Sequence, residues 1–519
     1  MKTRILLLTL LINSCILTIS RAQTDQVTRK IIEMGKTDNQ TMDHLDVLCN
    51  RIGGRLAGSD AYNNAVEWAA AEMRSWGMEV RVEEAGSVPV GFNRGPWFGR
   101  LLGENGMVLH FATPSYTSGT KGVQTGPVLI EPKSQEEFDR MKGLLKGAWV
   151  LIGGSNNGYP IDISAKADKK RDSIIEENNK IATQNREIEA ANWRGEPKKE
   201  LIKLKEEPAL FYRQMREAGI LGIIQSAKVP IQAMYDRKNM ESMTFENLPT
   251  VPDIKLDEHQ YEIIKQMVVE RRNFLLEFDI RNHFKPGPVK FHNVIGVIKG
   301  SKYPDEYVIM GSHLDAYDVA TGGVDDGSGI APTMEAARLI MAAGGKPKRT
   351  ILVCLFAAEE FGLVGSHSWV DHNKDKLASV SNMFNRDYGP LAPTSLSVSE
   401  AQWDDFTKIC EPLKTLNPQI PFELKKREAR PRPKTAGGSD HAPFAVEGVP
   451  TISFGIEDVA GYNFNYGEIW HTERDLYNKS IPDYQNHAAV CTAVVVYGVA
   501  NLDHLLSREG FFTEEKAIQ

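Results

Sequence analysis

The sequence predicts an α/β protein: a mainly parallel, mixed sheet flanked by helices and interrupted by a β-rich insert. Three observations carry that prediction. After Lys285-Pro286-Gly287-Pro288, strand-like and helix-like segments alternate, the pattern that builds a parallel sheet covered on both faces. From about Val88 to Phe284 the chain instead shows short apolar runs, GPVLIEP, GAWVLIG and GILGIIQS, between polar loops. Ahead of both lies a helix followed by a strand. With 519 residues the chain exceeds one ordinary core, and 41% hydrophobic with 25% charged residues places it in the soluble globular class. The expected boundaries are 1–22 for an export signal, 23–87 and 286–519 for the main domain, and 88–285 for the insert.

At the N-terminus, Lys2 and Arg4 precede an apolar run from Ile5 to Ile19, and Ser20-Arg21-Ala22 has the small residues a signal peptidase prefers. Cleavage is expected near Ala22, giving an exported protein, secreted or periplasmic. A membrane anchor needs about 18 or more uninterrupted apolar residues. This run is shorter and is broken by Asn13, Ser14 and Thr18, so no anchor is expected after cleavage. Losing Lys2, Arg4 and Arg21 takes the formal net charge from -7 to -10, which leaves no broad basic surface for nucleic acid. Cys49, Cys354, Cys410 and Cys491 lack CxxC spacing and form neither a zinc finger nor a dense disulfide framework.

Ser59 or Asp60 can cap a helix whose Ala65, Trp68, Ala69 and Met73 share one face, and Gly77 ends it before the strand MEVRVEE. Within the insert, residues 165–207 are highly charged, with Ile174, Ile181 and Ile188 at heptad spacing. The pattern predicts a projecting helical hairpin broken near Gly195 and Pro197, a solvated insert without chemistry. Beyond the linker come the strand EYVIMGSH, the helix GIAPTMEAARLIMAAG, the strand RTILVCLFAAEE, the helix SHSWVDHNKDKL, the strand VSNMFNRD and a final helical stretch from Asp483.

Ligands in open α/β sheets collect beyond the carboxyl ends of the strands. His313 closes the first of these strands, Glu359 and Glu360 the second and Asp387 the third, so one rim receives them all. Asp325 and Asp326 come from the loop opening the next helix, where Gly327 and Gly329 permit a sharp turn, and His471 arrives from a late loop. Five such ligands, one of them a bridging carboxylate, suit two zinc ions. Two ions roughly 3.5–4 Å apart can acidify a water and polarise a carbonyl, which implies hydrolysis. A base must also take and return the proton, and one of the adjacent glutamates can do so if the other binds metal.

These residues resemble the co-catalytic zinc exopeptidases, the family of bacterial leucyl aminopeptidases and glutamate carboxypeptidase. The shared motifs are NVIGVIKG, GSHLD, DDGSG, AAEEFGLVGS, NRD and WHT, in order, together with RIGGRLAGS near the N-terminus. Between them, KGAWVLIG, AGILGIIQ and LPTVPDI look like a protease-associated domain, whereas the charged 165–207 segment departs from the pattern. The resemblance implies the zinc exopeptidase fold and two Zn2+ ions, with His313 and Glu360 on one ion, Asp387 and His471 on the other, and Asp325 bridging. It further implies that Glu359 is the general base and that Asp315 holds the His313 imidazole by a hydrogen bond. His441, in GGSDHAPF, is expected at most to touch substrate.

Arg427, Arg430, Arg432 and Lys434 could reach a peptide's terminal carboxylate, although a solvated extended loop explains them better. No GxSxG elbow, Walker loop or GxGxxG fingerprint competes. A receptor-like relative without catalysis would have lost zinc ligands, and a one-zinc cyclase of similar fold would not keep all five. The expected activity is hydrolysis of dipeptides or short peptides, with aminopeptidase or dipeptidase action preferred over carboxypeptidase action. A homodimer fits the family.

Overall fold

The structure, a computed structural model, describes residues 24–103, 106–154 and 156–513. The expected export signal, 1–22, lies outside the described residues. Among the described residues no helix is long and apolar enough to cross a membrane. The chain divides into two compact units: one holds the described residues up to Ser87, Lys290–Ile469 and those from Asp475 onward, the other Val88–Val289 with Trp470–Arg474.

The first unit is built on a six-stranded sheet, counted among the described residues. Its order is Glu79–Asn93, His283–Ile298, Arg349–Phe356, Tyr303–His313, Val380–Asn385 and Thr451–Ile452. His283–Ile298 runs antiparallel to Arg349–Phe356, while the Tyr303–His313, Arg349–Phe356, Val380–Asn385 and Thr451–Ile452 strands pair in parallel. One face packs Ile295, Ile309, Leu352 and Phe356 against Trp369 and Phe444, which come from the helices Val364–His372 and His441–Val446. The helices Gly327–Ala342 and Pro482–Ala500 pack on each other and are buried almost all round, which is why their sequences read as apolar without a polar stripe. At the N-terminal side, the Ser59 side chain accepts the Tyr62 N–H at 3.0 Å and caps the helix Asp60–Ser75, and Gly77 takes a φ of +87° beyond its end.

In the second unit the three apolar runs become Val128–Ile130, Trp149–Ile152 and Gly222–Ala227. They join Asp253–Asp257 and Phe111–Ala112 in a five-stranded sheet. A three-stranded sheet of Trp97–Leu102, Leu275–Ile280 and Gln124–Gly126 shares its core through Trp149, Leu276 and Phe278.

The expected helical hairpin is corrected here. Ala165–Trp193 is a single helix, and residues 198–207 return without helix or strand. The cause is a row of asparagines beside the isoleucine seam. Asn178, Asn185 and Asn192 each hold one residue of the return by both amide atoms: Lys205 at 2.8 and 2.9 Å, Ile202 at 2.8 and 2.8 Å, and Lys199 at 2.9 and 2.9 Å. Seven helical residues advance about 10.5 Å and three extended ones about 9–10 Å, so the rungs stay in register. Cys49, Cys354, Cys410 and Cys491 are free, buried thiols.

Candidate metal centre

Strand register brings the first group together. Gly311 pairs with Asn385 across parallel strands, so His313 and Asp387, each two residues further on, stand side by side at the rim. His313 Nε2 lies 3.7 Å from Asp387 Oδ1 and 3.3 Å from Asp325 Oδ1. Ligand atoms of His313, Asp325 and Asp387 all fall within 4.8 Å of one another, a spacing a single metal ion can span. The expected division sets His313 with Glu360, whereas this close group sets it with Asp387. On its other side His313 pairs with Phe356, where the Arg349–Phe356 strand ends. Glu359 and Glu360 therefore do not close that strand: they lie three and four residues past it, in the turn before Val364–His372.

Asp315 meets the His313 ring through its main chain. Its backbone carbonyl, not its carboxylate, is the close partner of His313 Nδ1, at 3.0 Å against 3.6 Å. The carboxylate instead accepts the Glu359 N–H at 3.1 Å and the Glu360 N–H at 3.3 Å. One residue thus orients the histidine with its main chain and the glutamate turn with its side chain.

Two further residues shape the loop carrying Asp325, and motif reading assigned neither a role. Arg55, fully buried, donates to the carbonyls of Leu314 at 2.6 Å, Thr321 at 2.8 Å and Gly322 at 3.2 Å. Asp475 accepts from the amides of the same loop. Both stood inside recognised motifs, RIGGRLAGS and the stretch after WHT, so a signal existed. Asp326, beside the bridging candidate, turns inward to accept a hydrogen bond from the Ser312 hydroxyl.

The electrostatics fit a cation. Burial pushes the Glu360 carboxyl well up, and Asp325 adds to it; burial likewise raises Glu359, with Glu360 and Asp440 adding and His313 opposing. His313 is raised well above the usual imidazole range, because Asp387, Asp315 and Asp325 outweigh its burial. Burial raises Asp387 too, but His313 and Ser439 draw it below the ordinary carboxylate range. So many acids around one imidazole are costly without positive charge, which a divalent ion would supply.

Tyr466 belongs to the same rim, and no motif marks it. It opens the short turn Tyr466–Glu468, and its ring lies 3.5 Å from where a Cβ on Gly389, two residues past Asp387, would stand. Its phenol is kept protonated by burial, then by Asp325, Asp387, Asp326 and Glu360.

His441 opens the helix His441–Val446, and burial, then Arg430, lowers its pKa. Asp440 beside it is wholly buried and its carboxyl is pushed up to about 7 by burial. The arginine run is tied to the chain's own groups: Arg427 donates to the Phe511 carbonyl, Arg430 to Thr451 and the exposed Arg432 to the Val446 carbonyl. His471 lies in the Trp470–Arg474 segment of the second unit with a φ of +57°. Its ring stacks on Trp470 at 4.1 Å, and its carbonyl accepts the Ala233 N–H at 3.3 Å.

Residues 293–495 match the sequence profile of peptidase family M28. The matched stretch is the part of the chain that carries His313, Asp325, Glu359, Glu360, Asp387 and His471. Carboxypeptidase Q of Bos taurus is 25% identical over 501 residues, covering 94% of this chain and 91% of its own length. The Homo sapiens protein of the same name is 25% identical over 505 residues, with coverage of 94% and 91%. Among solved structures, an M28 peptidase precursor from Shewanella amazonensis SB2B aligns with a TM-score of 0.56 at 20% identity, covering 94% of this chain and 99% of that one. A zinc aminopeptidase from Bacillus subtilis aligns with a TM-score of 0.50 at 18% identity, covering 91% and 97%. The M28 match and the full-length relatives support a metallopeptidase, a hydrolase of peptide bonds.

Proposed function

We propose that this protein is an exported di-zinc exopeptidase that removes or separates single residues from dipeptides and short peptides, with aminopeptidase or dipeptidase action. The observation that carries the proposal is the convergence of His313, Asp325 and Asp387 within 4.8 Å, beside two glutamates whose amides share the Asp315 carboxylate. In this reading His313 and Asp387 hold one ion, Asp325 bridges, and Glu360 with His471 serves the other; His471 enters on the WHT motif. Zinc supplies Lewis acidity and an acidified water at neutral pH.

The chain's own residues supply the remainder. Glu359 takes the water's proton on its carboxylate and returns it to the leaving amine. Tyr466 offers a phenolic O–H to the carbonyl oxygen as negative charge develops there. Asp315 holds Glu359 at the correct height by its amide. Residues 1–22 act as the export signal, and residues 88–285 form a protease-associated-like insert. The test measures zinc per chain and cleavage of free, amino-blocked and carboxyl-blocked dipeptides. Two zinc ions with loss of cleavage on amino-blocking is the expected result, and a zinc-free protein that cleaves nothing overturns it.

Carboxypeptidase action is the second reading, favoured by the names of the relatives that align over nearly the whole chain. Amino-blocked substrates cleaved as fast as free ones, with carboxyl-blocked ones spared, would establish it instead.

A further inference from the structure

The loop from Thr321 to Asp325 carries the bridging carboxylate, yet it has no regular structure of its own. Four of its five amides end on a single residue. The Asp475 carbonyl accepts the Thr321 and Gly323 N–H groups, each at 3.2 Å. Its carboxylate accepts the Val324 N–H at 2.7 Å on one oxygen and the Asp325 N–H at 3.2 Å on the other. The loop lies so close that a Cβ on Gly323 would come within 2.2 Å of the Leu476 backbone. Asp475 is itself only 5% exposed. From the other side, Arg55 takes the Thr321 and Gly322 carbonyls.

We infer that Asp475 is the positioning residue of the metal centre: it sets the Asp325 carboxylate in its bridging place before any ion binds. The inference rests on the di-zinc reading for its consequence and on the hydrogen bonds alone for its geometry. A carboxylate suits the task because each oxygen can accept one amide of two consecutive residues, and both amides then point the same way. An asparagine of equal size can accept only one, and its NH2 would face the second N–H. Residues that orient a metal ligand typically contribute about 10–100-fold in metal affinity.

The test uses full-length protein with and without zinc. In metal-free wild type, the amides of residues 323–325 should be protected from hydrogen exchange; rapid exchange there overturns the inference whether or not zinc binds. Asp475→Asn and Asp475→Ala should lose that protection and bind zinc about 10–100-fold more weakly in chelator competition. Their kcat should fall by a similar factor with KM nearly unchanged, and excess zinc should restore part of it. Val495→Ala, in the distant core of Pro482–Ala500, controls for general destabilisation. If it reproduces the zinc loss at an equal fall in Tm, or if both Asp475 variants bind zinc as tightly as wild type, the inference fails. Wild type that binds no zinc at all defeats the di-zinc reading but leaves the exchange result standing.

Discussion

The rim bearing His313, Asp325, Glu359, Glu360 and Asp387 and the helix Ala165–Trp193 are both crowded with charge, and they dispose of it in opposite ways. At the rim the charges are buried or half-buried and of mostly one sign, with His313 beside Asp325 and Asp387. On the helix they are solvated and matched, as in Lys170 with Glu207 and Lys205 with Glu177, and the specific work of holding the return segment falls to neutral asparagines. Exposed ion pairs contribute about 0–1 kcal/mol, whereas uncompensated buried charge is costly enough to demand a partner. Charge density alone therefore does not mark a site; burial with imbalance does.

The largest effect should come from the rim. Glu359→Gln should lower kcat by about 10²–10⁴-fold while zinc content stays at the wild-type value, checked by metal analysis and steady-state kinetics. Near-normal turnover would place the base elsewhere. Tyr466→Phe should come next, with kcat reduced about 10²-fold and zinc affinity unchanged, as for loss of one donor to a developing oxyanion.

The scaffold beneath the rim should be the acid-sensitive region. His487 is buried on Pro482–Ala500, beside the Pro393 carbonyl at 3.1 Å, and burial lowers its pKa from 6.5 to about 4. The unfolded chain then takes up the proton first. Stability from neutral His487 is fully present above about pH 6.5 and is lost as pH falls through about 4, by up to about 3 kcal/mol. Urea unfolding at several pH values should show this acid limb in wild type and a flatter one in His487→Gln; parallel curves would show that another group carries it.

The smallest effect should lie on the charged helix. Asn185→Ala removes one rung and should cost about 1–3 kcal/mol of local stability. Hydrogen exchange or limited proteolysis near Ile202 should accelerate, with peptidase activity unchanged. A loss of activity would break the contrast between the two regions.

Much of the metal centre was legible because its residues sit in short motifs at strand ends, where parallel topology gathers them. The motifs did not reveal which ligands share an ion. That followed from register, which pairs Gly311 with Asn385 and thereby sets His313 beside Asp387. Tyr466 was missed because no local pattern marks it; only packing brings its ring to Gly389. Ile174, Ile181 and Ile188 suggested a second helix, while the equally spaced Asn178, Asn185 and Asn192 went unread.

By itself the sequence determined the alternation of strands and helices and put forward the candidate metal-binding side chains and the candidate base, since periodicity and residue chemistry are local properties. Tertiary structure decided which acid stands beside His313, the backbone partners of the arginine run, the two tasks of Asp315 and the convergence of four loop amides on Asp475. These depend on which distant backbone groups meet, and a hydrogen bond across 150 residues leaves no periodic trace along the chain.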